Sequence, residues 1–210
     1  MARTKSSKGW LQRHVKDPYV RRARAEGYRS RAAFKLIEIN TRDRLLIPGA
    51  QVVDLGAAPG GWSQVAAGKV GPKGGVVAVD LLEIAPISAV TVLRGDFRAP
   101  EVQQLIVAAL AGRKAAVELS DLSPNVSGIA SADQARAAEL VRTAMAFCRA
   151  QLQPGGALLV KVFQGEEFAS LLQEMKAMFR EVRTLKPAAS RGESRETYLL
   201  ARGLKGYNGR

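Results

Sequence analysis

The chain has 210 residues, 47% hydrophobic and 24% charged, which suits one α/β domain with a proper core plus a short appended segment and leaves too little for a second full domain. No apolar run approaches the roughly 20 residues of a membrane-spanning helix, and a single cysteine (Cys148) and a single histidine (His14) exclude a disulfide framework and a zinc constellation. A net charge of +13 points to a polyanionic partner.

The charge is uneven. Residues 1–44 carry 13 Lys/Arg against 4 Asp/Glu, a net +9, with Trp10, Tyr19, Tyr28 and Phe34 interleaved. Aromatic stacking surfaces among phosphate-binding cations favour nucleic acid as the partner. An acidic membrane surface is the main competitor, but the strongly apolar face that such anchoring uses is missing. The basic start leads into Trp10, Leu11 and Gln12 rather than an apolar stretch, so a signal peptide is not expected and the cytoplasm is the expected location. The expected division is a basic nucleic-acid-binding segment over 1–44, a main domain over 45–203 and a tail over 204–210. Nothing in the sequence demands more than a monomer. His14, in the basic arm, reads as a nucleic-acid contact or a solvated side chain, not a catalyst.

In chain order, the first predicted element is a helix over 30–40 with Ser30 as its cap. Residues 41–49 connect it to a buried strand over 51–55, a Gly-rich turn, and a helix over 61–68. Strands follow at 75–80 and 90–94, then a helix over 101–111, a strand at 115–120 and a long helix over 132–151. Pro154-Gly155-Gly156 reads as a turn into the apolar strand 157–163. A helix over 166–178 and two strands, 181–185 and 197–202, complete the chain. Strands alternating with helices imply a parallel sheet covered on both faces, and the closing strand pair implies an antiparallel addition. Met145, Phe147, Cys148, Met175, Met178 and Phe179 fall at helical spacing among other apolar residues and are read as packing.

The segment Val52-Val53-Asp54-Leu55-Gly56-Ala57-Ala58-Pro59-Gly60-Gly61-Trp62 is a strand, a Gly-rich turn and a helix start. Its glycines let backbone approach a ligand, and the helix start offers free N–H groups. The spacing is not G-x-G-x-x-G, and Trp62 stands where a P-loop needs lysine, so neither NAD nor ATP is favoured. Asp80 ends the next strand, where a carboxylate in this architecture accepts from both ribose hydroxyls of an adenosine. Asp96 follows the third strand and suits an adenine amino group.

The run from Asp54 to Gln64 resembles the cofactor motif of the FtsJ-type RNA 2′-O-ribose methyltransferases. The stretches Asp17 to Val20, Gly27 to Leu36, Ser120 to Asn125, Lys161 to Gly165 and Ser194 to Tyr198 resemble the family's other blocks in the same order. The resemblance covers nearly the whole chain except its ends. It implies the Rossmann-like methyltransferase fold, with a seven-stranded, mostly parallel sheet whose last strand is antiparallel, and S-adenosyl-L-methionine as cofactor. The bacterial members it resembles most act on a uridine ribose in the A-loop of 23S rRNA, in the large ribosomal subunit. By motif, the family's catalytic tetrad falls on Lys35, Asp121, Lys161 and Glu196, and cofactor contacts fall on Gly56, Gly60, Trp62, Asp80, Asp96 and Asp121. Leu122-Ser123 is one variant among several in the turn after Asp121.

These residue types suit the reaction. An ordinary lysine, with pKa about 10.4, is protonated at neutral pH and is no base. Burial within 158–163 and the second ammonium of Lys35 both favour release of a proton, which makes Lys161 the candidate base. Asp121 is expected to touch the methionine end of the cofactor and Lys161, and Glu196 to orient Lys35 or the ribose. Lys35 has a second reading, as the holder of a phosphate. Added bulk at Gly60 is expected to block the cofactor while leaving the fold largely intact. A methyltransferase of transfer RNA or another stable RNA would share the tetrad, although the basic arm and short C-terminus favour ribosomal RNA. A silent rRNA-binding assembly factor is opposed by the intact tetrad and glycine loop.

Overall fold

The computed structural model describes residues 17–124, 127–192 and 194–206. Residues 1–16, with Trp10 and His14, as well as Asn125 and the last four residues, lie outside them. Seven strands form one sheet: β1 (Gln51–Leu55), β2 (Gly75–Asp80), β3 (Val90–Arg94), β4 (Ala115–Ser120), β5 (Leu152–Phe163), β6 (Phe179–Leu185) and β7 (Glu196–Leu204). Their order is β3-β2-β1-β4-β5-β7-β6. The pairs β1–β2, β1–β4, β2–β3 and β4–β5 are parallel, and β7 runs antiparallel to both β5 and β6. The last strand in sequence is therefore the antiparallel one, inserted between its neighbours rather than added at the edge.

The helices are α1 (Pro18–Ala25), α2 (Ala33–Asp43), α3 (Gly61–Val70), α4 (Pro100–Ala109), α5 (Ala130–Gln151) and α6 (Phe168–Met178). α1 is an element the sequence reading missed, although its start is well signalled. The Asp17 carboxylate accepts the Tyr19 N–H at 3.0 Å, and Pro18 takes the first helical position, where its missing N–H is no loss. α2 starts three residues later than expected. Ser30 offers only its main-chain carbonyl to the Ala33 N–H, in a turn ahead of the helix, and no side chain caps α2.

The expected turn at Pro154-Gly155-Gly156 lies inside β5. Ala115 of β4 faces Leu152 and Val117 faces Ala157, so β5 carries three extra residues in that interval, a bulge with Gly155 at φ 80°. Beyond it, 156–162 are all buried, as a central strand covered on both faces requires.

One apolar cluster lies under α4, α5 and α6, with Ile106, Met145, Phe147 and Met175 against Leu158, Val160 and Leu199. The other face packs Ala33, Leu36 and Ile39 of α2 with Trp62 and Val65 of α3 onto Val52, Leu119, Leu159 and Tyr198. α2 thus shares the sheet's core, and the division drawn at residue 44 falls within it. Among the described residues, no helix is long and apolar enough to cross a membrane.

Candidate active site

β1 has β2 on one side and β4 on the other, so the chain direction of sheet building reverses at β1 and opens a crevice at the strands' C-terminal ends. The turns that leave β1 and β4 touch there: a Cβ placed on Gly56, at φ 75°, would lie 2.7 Å from Leu122 Cδ2 and 3.2 Å from Leu122 Cα. Gly60, at φ 108°, caps α3, and a Cβ there would come within 2.5 Å of Ile87 Cδ1 and 3.3 Å of Arg29. Added bulk at Gly60 therefore strains the loop itself, a local cost to stability in addition to the expected block of the cofactor.

Asp80 ends β2 with both carboxylate oxygens engaged by loops. Oδ2 accepts the Ala58 N–H at 2.9 Å and Oδ1 accepts the Leu82 N–H at 2.8 Å. A carboxylate has about four acceptor positions, so two remain for a ligand. Asp96, after β3, is held differently. Arg98 binds its carboxylate through Nε, a terminal nitrogen at 2.6 Å and its own main-chain N–H, and this guanidinium holds Asp96 below the usual carboxylate range. The Trp62 indole is buried, donates to the Ala32 carbonyl at 2.7 Å and lies 5.7 Å from the Tyr198 ring. Only the main chain of Trp62 remains for a ligand, and its side chain fixes the start of α2.

Asp54 is fully buried beneath the glycine turn and accepts from the Ser63 hydroxyl at 2.6 Å. Burial pushes its carboxyl up to about 7, against the Ser63 hydrogen bond and reinforced by the charges of Asp121 and Asp80.

The four residues of the expected tetrad come together at the ends of β4 and β5 and the start of β7. Lys35, in the first turn of α2, is buried and donates to Glu196 Oε1 at 2.5 Å and to the Tyr198 hydroxyl at 2.9 Å. Lys161, on β5, is buried and donates to the Asp121 main-chain carbonyl at 2.8 Å, with Asp121 Oδ1 at 3.2 Å. The pairing of β5 with β7 sets Lys161 opposite Tyr198 and Phe163 opposite Glu196. Residues two apart on a strand share a face, so Glu196 and Tyr198 point the same way, with Lys161 beside them. The Tyr198 hydroxyl lies 2.9 Å from Asp121 Oδ1 and 3.3 Å from Glu196 Oε1.

Burial pushes Glu196 up, but the charge and hydrogen bond of Lys35, the charge of Lys161 and the Ser190 hydroxyl outweigh it and hold the carboxyl below its ordinary value. Tyr198 and Ser190 were missed in the sequence. Only the two-residue step from Glu196 to Tyr198 along an expected strand could have pointed to Tyr198.

The FtsJ-like methyltransferase pattern matches residues 28–204, which spans every one of these side chains. The chain belongs to the FtsJ-like methyltransferase family. This FtsJ-like methyltransferase is 52% identical to the ribosomal RNA large subunit methyltransferase E of Chromohalobacter salexigens, over 97% of each chain. A solved structure named as a ribosomal RNA methyltransferase from Plasmodium falciparum superposes with a TM-score of 0.76 at 28% identity, covering 85% of this chain and 100% of that one. Fibrillarin of Aeropyrum pernix, solved with natively bound S-adenosyl-L-methionine, shares the fold at a TM-score of 0.57 and 18% identity, over 83% of this chain and 75% of its own.

Proposed function

We propose that this enzyme transfers a methyl group from S-adenosyl-L-methionine to a ribose 2′-hydroxyl of large-subunit ribosomal RNA, a uridine in the A-loop of 23S rRNA, in the cytoplasm. The observation that carries the reading is the convergence of Lys35, Asp121, Lys161 and Glu196 beside a glycine turn built for close ligand approach. The relatives named for large-subunit ribosomal RNA support the choice of substrate.

The crevice fits the cofactor. The left-handed turns at Gly56 and Gly60 and the main-chain N–H groups opening α3 suit its methionine end, and Asp80 retains two acceptor positions for its ribose hydroxyls. Asp96 would receive the adenine amino group beside its Arg98 partner. When bound, the cofactor supplies a methyl group already activated by a sulfonium, so the protein's task is alignment and removal of one proton.

Lys161 is the group assigned to that proton. A neutral lysine amine has two N–H donors and one lone pair. The Asp121 carbonyl takes one donor and the Asp121 carboxylate lies 3.2 Å away, which leaves the lone pair for the ribose hydroxyl. Asp121 thereby orients the base and stands next to the methionine end of the crevice. Lys35 is ion-paired with Glu196, a buried pair better suited to ordering the site than to gripping a phosphate.

The test offers methyl-labelled cofactor with isolated large ribosomal subunits in one arm and bulk tRNA in the other. The expected result is label on one ribose of the large-subunit RNA. Label in tRNA alone would replace the substrate, and failure to bind cofactor in a calorimetric titration would leave a silent assembly factor.

A further inference from the structure

We propose that Tyr198 is a positioning residue for the methyl transfer, its hydroxyl joining the Lys35–Glu196 pair to the Asp121–Lys161 pair and fixing the Asp121 carboxylate against Lys161. The inference rests on the reading of those four residues given above. It follows from donor and acceptor accounting. An ammonium only donates, so at 2.9 Å from Lys35 Nζ the phenol oxygen must accept. Its one proton then goes to a carboxylate. Glu196 Oε1 is 3.3 Å away and already accepts from Lys35 at 2.5 Å and from Ser190 at 3.1 Å. Asp121 Oδ1 is nearer, at 2.9 Å.

The hydrogen bonds therefore run from Lys35 to Tyr198 to Asp121 Oδ1, the oxygen that Lys161 meets at 3.2 Å from the other side. The Lys35 charge polarises the phenol and strengthens its donation to Asp121. Burial, followed by the charges of Asp121 and Glu196, pushes the phenol far above its ordinary range, so its proton stays on oxygen. Tyr198 is thus a fixed donor and not itself a base.

The rest of the side chain suits a positioning role. The ring is fully buried and packs against Trp62, which also ties down the start of α2, so one core contact sets both Lys35 and the phenol. Removing the hydroxyl frees the Asp121 carboxylate to turn, and Lys161 loses the support that aims its lone pair.

Tyr198→Phe keeps the ring and removes only the hydroxyl. The expected result, with cofactor and RNA saturating, is a single-turnover rate about 10- to 100-fold lower, the size of loss that a misplacement near 1 Å produces. Affinity for cofactor and RNA should stay within about twofold, because the lost interaction serves the reacting geometry rather than binding. A second arm combines the substitution with Lys35→Ala. If Tyr198 acts by relaying Lys35, the double variant should be within about twofold of Lys35→Ala alone. Multiplicative losses in that arm, or a wild-type rate for Tyr198→Phe, would overturn the proposal. Lys161→Ala, run alongside, reports on the underlying reading. A wild-type rate there removes the base and this inference with it, whereas loss in Lys161→Ala with no loss in Tyr198→Phe removes the inference alone.

Discussion

Asp80 holds the glycine turn through Ala58 and its own loop through Leu82, while keeping two acceptor positions over. Asp80→Ala should therefore weaken cofactor binding in calorimetry by roughly 10- to 100-fold, since hydrogen bonds to a charged acceptor contribute about 1.5–3 kcal/mol. Unchanged affinity would remove Asp80 from the site. A second prediction concerns Glu118 on β4, fully buried and bonded to Cys148 Sγ at 3.0 Å. Burial pushes it up to about 8, against the Cys148 hydrogen bond. An acid raised in the folded state stays protonated there while the unfolded chain ionises. Stability is thus complete below its ordinary value of 4.5 and falls as pH climbs toward 8. Glu118→Gln lacks this dependence, so its unfolding free energy relative to the wild type, from urea titration, should rise between about pH 5 and pH 8 by on the order of a few kcal/mol. A pH-independent difference would mean that Glu118 ionises without penalty. At this scale, Asp80, Asp121 and Lys161 were legible because each is an odd residue type at or near the end of an apolar strand. Tyr198 was not, since a tyrosine in an apolar strand looks like core, and only the cross-strand register shows what its hydroxyl meets.

The glycine turn and the loop before α2 form one unit through Arg29. Its guanidinium donates to the carbonyls of Ala85 and Pro86 at 2.6 Å and of Pro59 at 3.3 Å, and its main-chain N–H reaches Gln64 Oε1 at 2.9 Å. A residue larger than glycine at position 60 meets this clamp and an unfavourable φ together. Gly60→Ala should lose both cofactor affinity and about 1–3 kcal/mol of stability, the range for a strained left-handed residue. Thermal unfolding beside calorimetry checks this, and a variant of wild-type stability would show that Ile87 and Arg29 yield freely. Most elements were legible because their apolar periodicity is strong: β1, β2, β3 and β4 lie where the pattern put them. The misses have local causes. α1 is too short and polar for periodicity to register, and the β5 bulge hides a strand behind turn residues. Ser30 has a capping side chain in a turn that the chain does not yet leave as helix.

For the whole molecule, the proposed function divides binding between charge, for RNA, and fold, for cofactor. Residues 17–30 are part of the body, since Ala23 packs on Phe34 and Ala189 and Arg29 clamps the cofactor turn. Removing residues 1–30 would disturb both functions. Removing 1–16, which carry five Lys/Arg and no Asp/Glu, isolates the electrostatic contribution. Affinity for ribosomal RNA should fall and the slope of log K against log salt should flatten by up to about 3.5, at about 0.7 for each phosphate no longer neutralised. Cofactor affinity should be unchanged. An unaltered salt slope would place the RNA surface elsewhere. The sheet and the cofactor crevice could be read from motif order, but the sharing of α2 between the sheet and α1 could not, because its apolar residues serve both, Leu36 and Ile39 toward the sheet and Phe34 toward Ala23. The central claim, that this FtsJ-like methyltransferase aligns a ribose hydroxyl and removes its proton with Lys161, is tested most directly by single-turnover methyl transfer with Lys161→Arg. Arginine keeps the charge and reach but is not deprotonated in a protein. With large-subunit RNA and cofactor saturating, Lys161→Arg should be as slow as Lys161→Ala, each down by about 10²- to 10⁴-fold, the usual contribution of a general base. An arginine variant that keeps a large part of the wild-type rate would contradict the account, leaving Lys161 to orient the hydroxyl by charge and the proton to leave by another route.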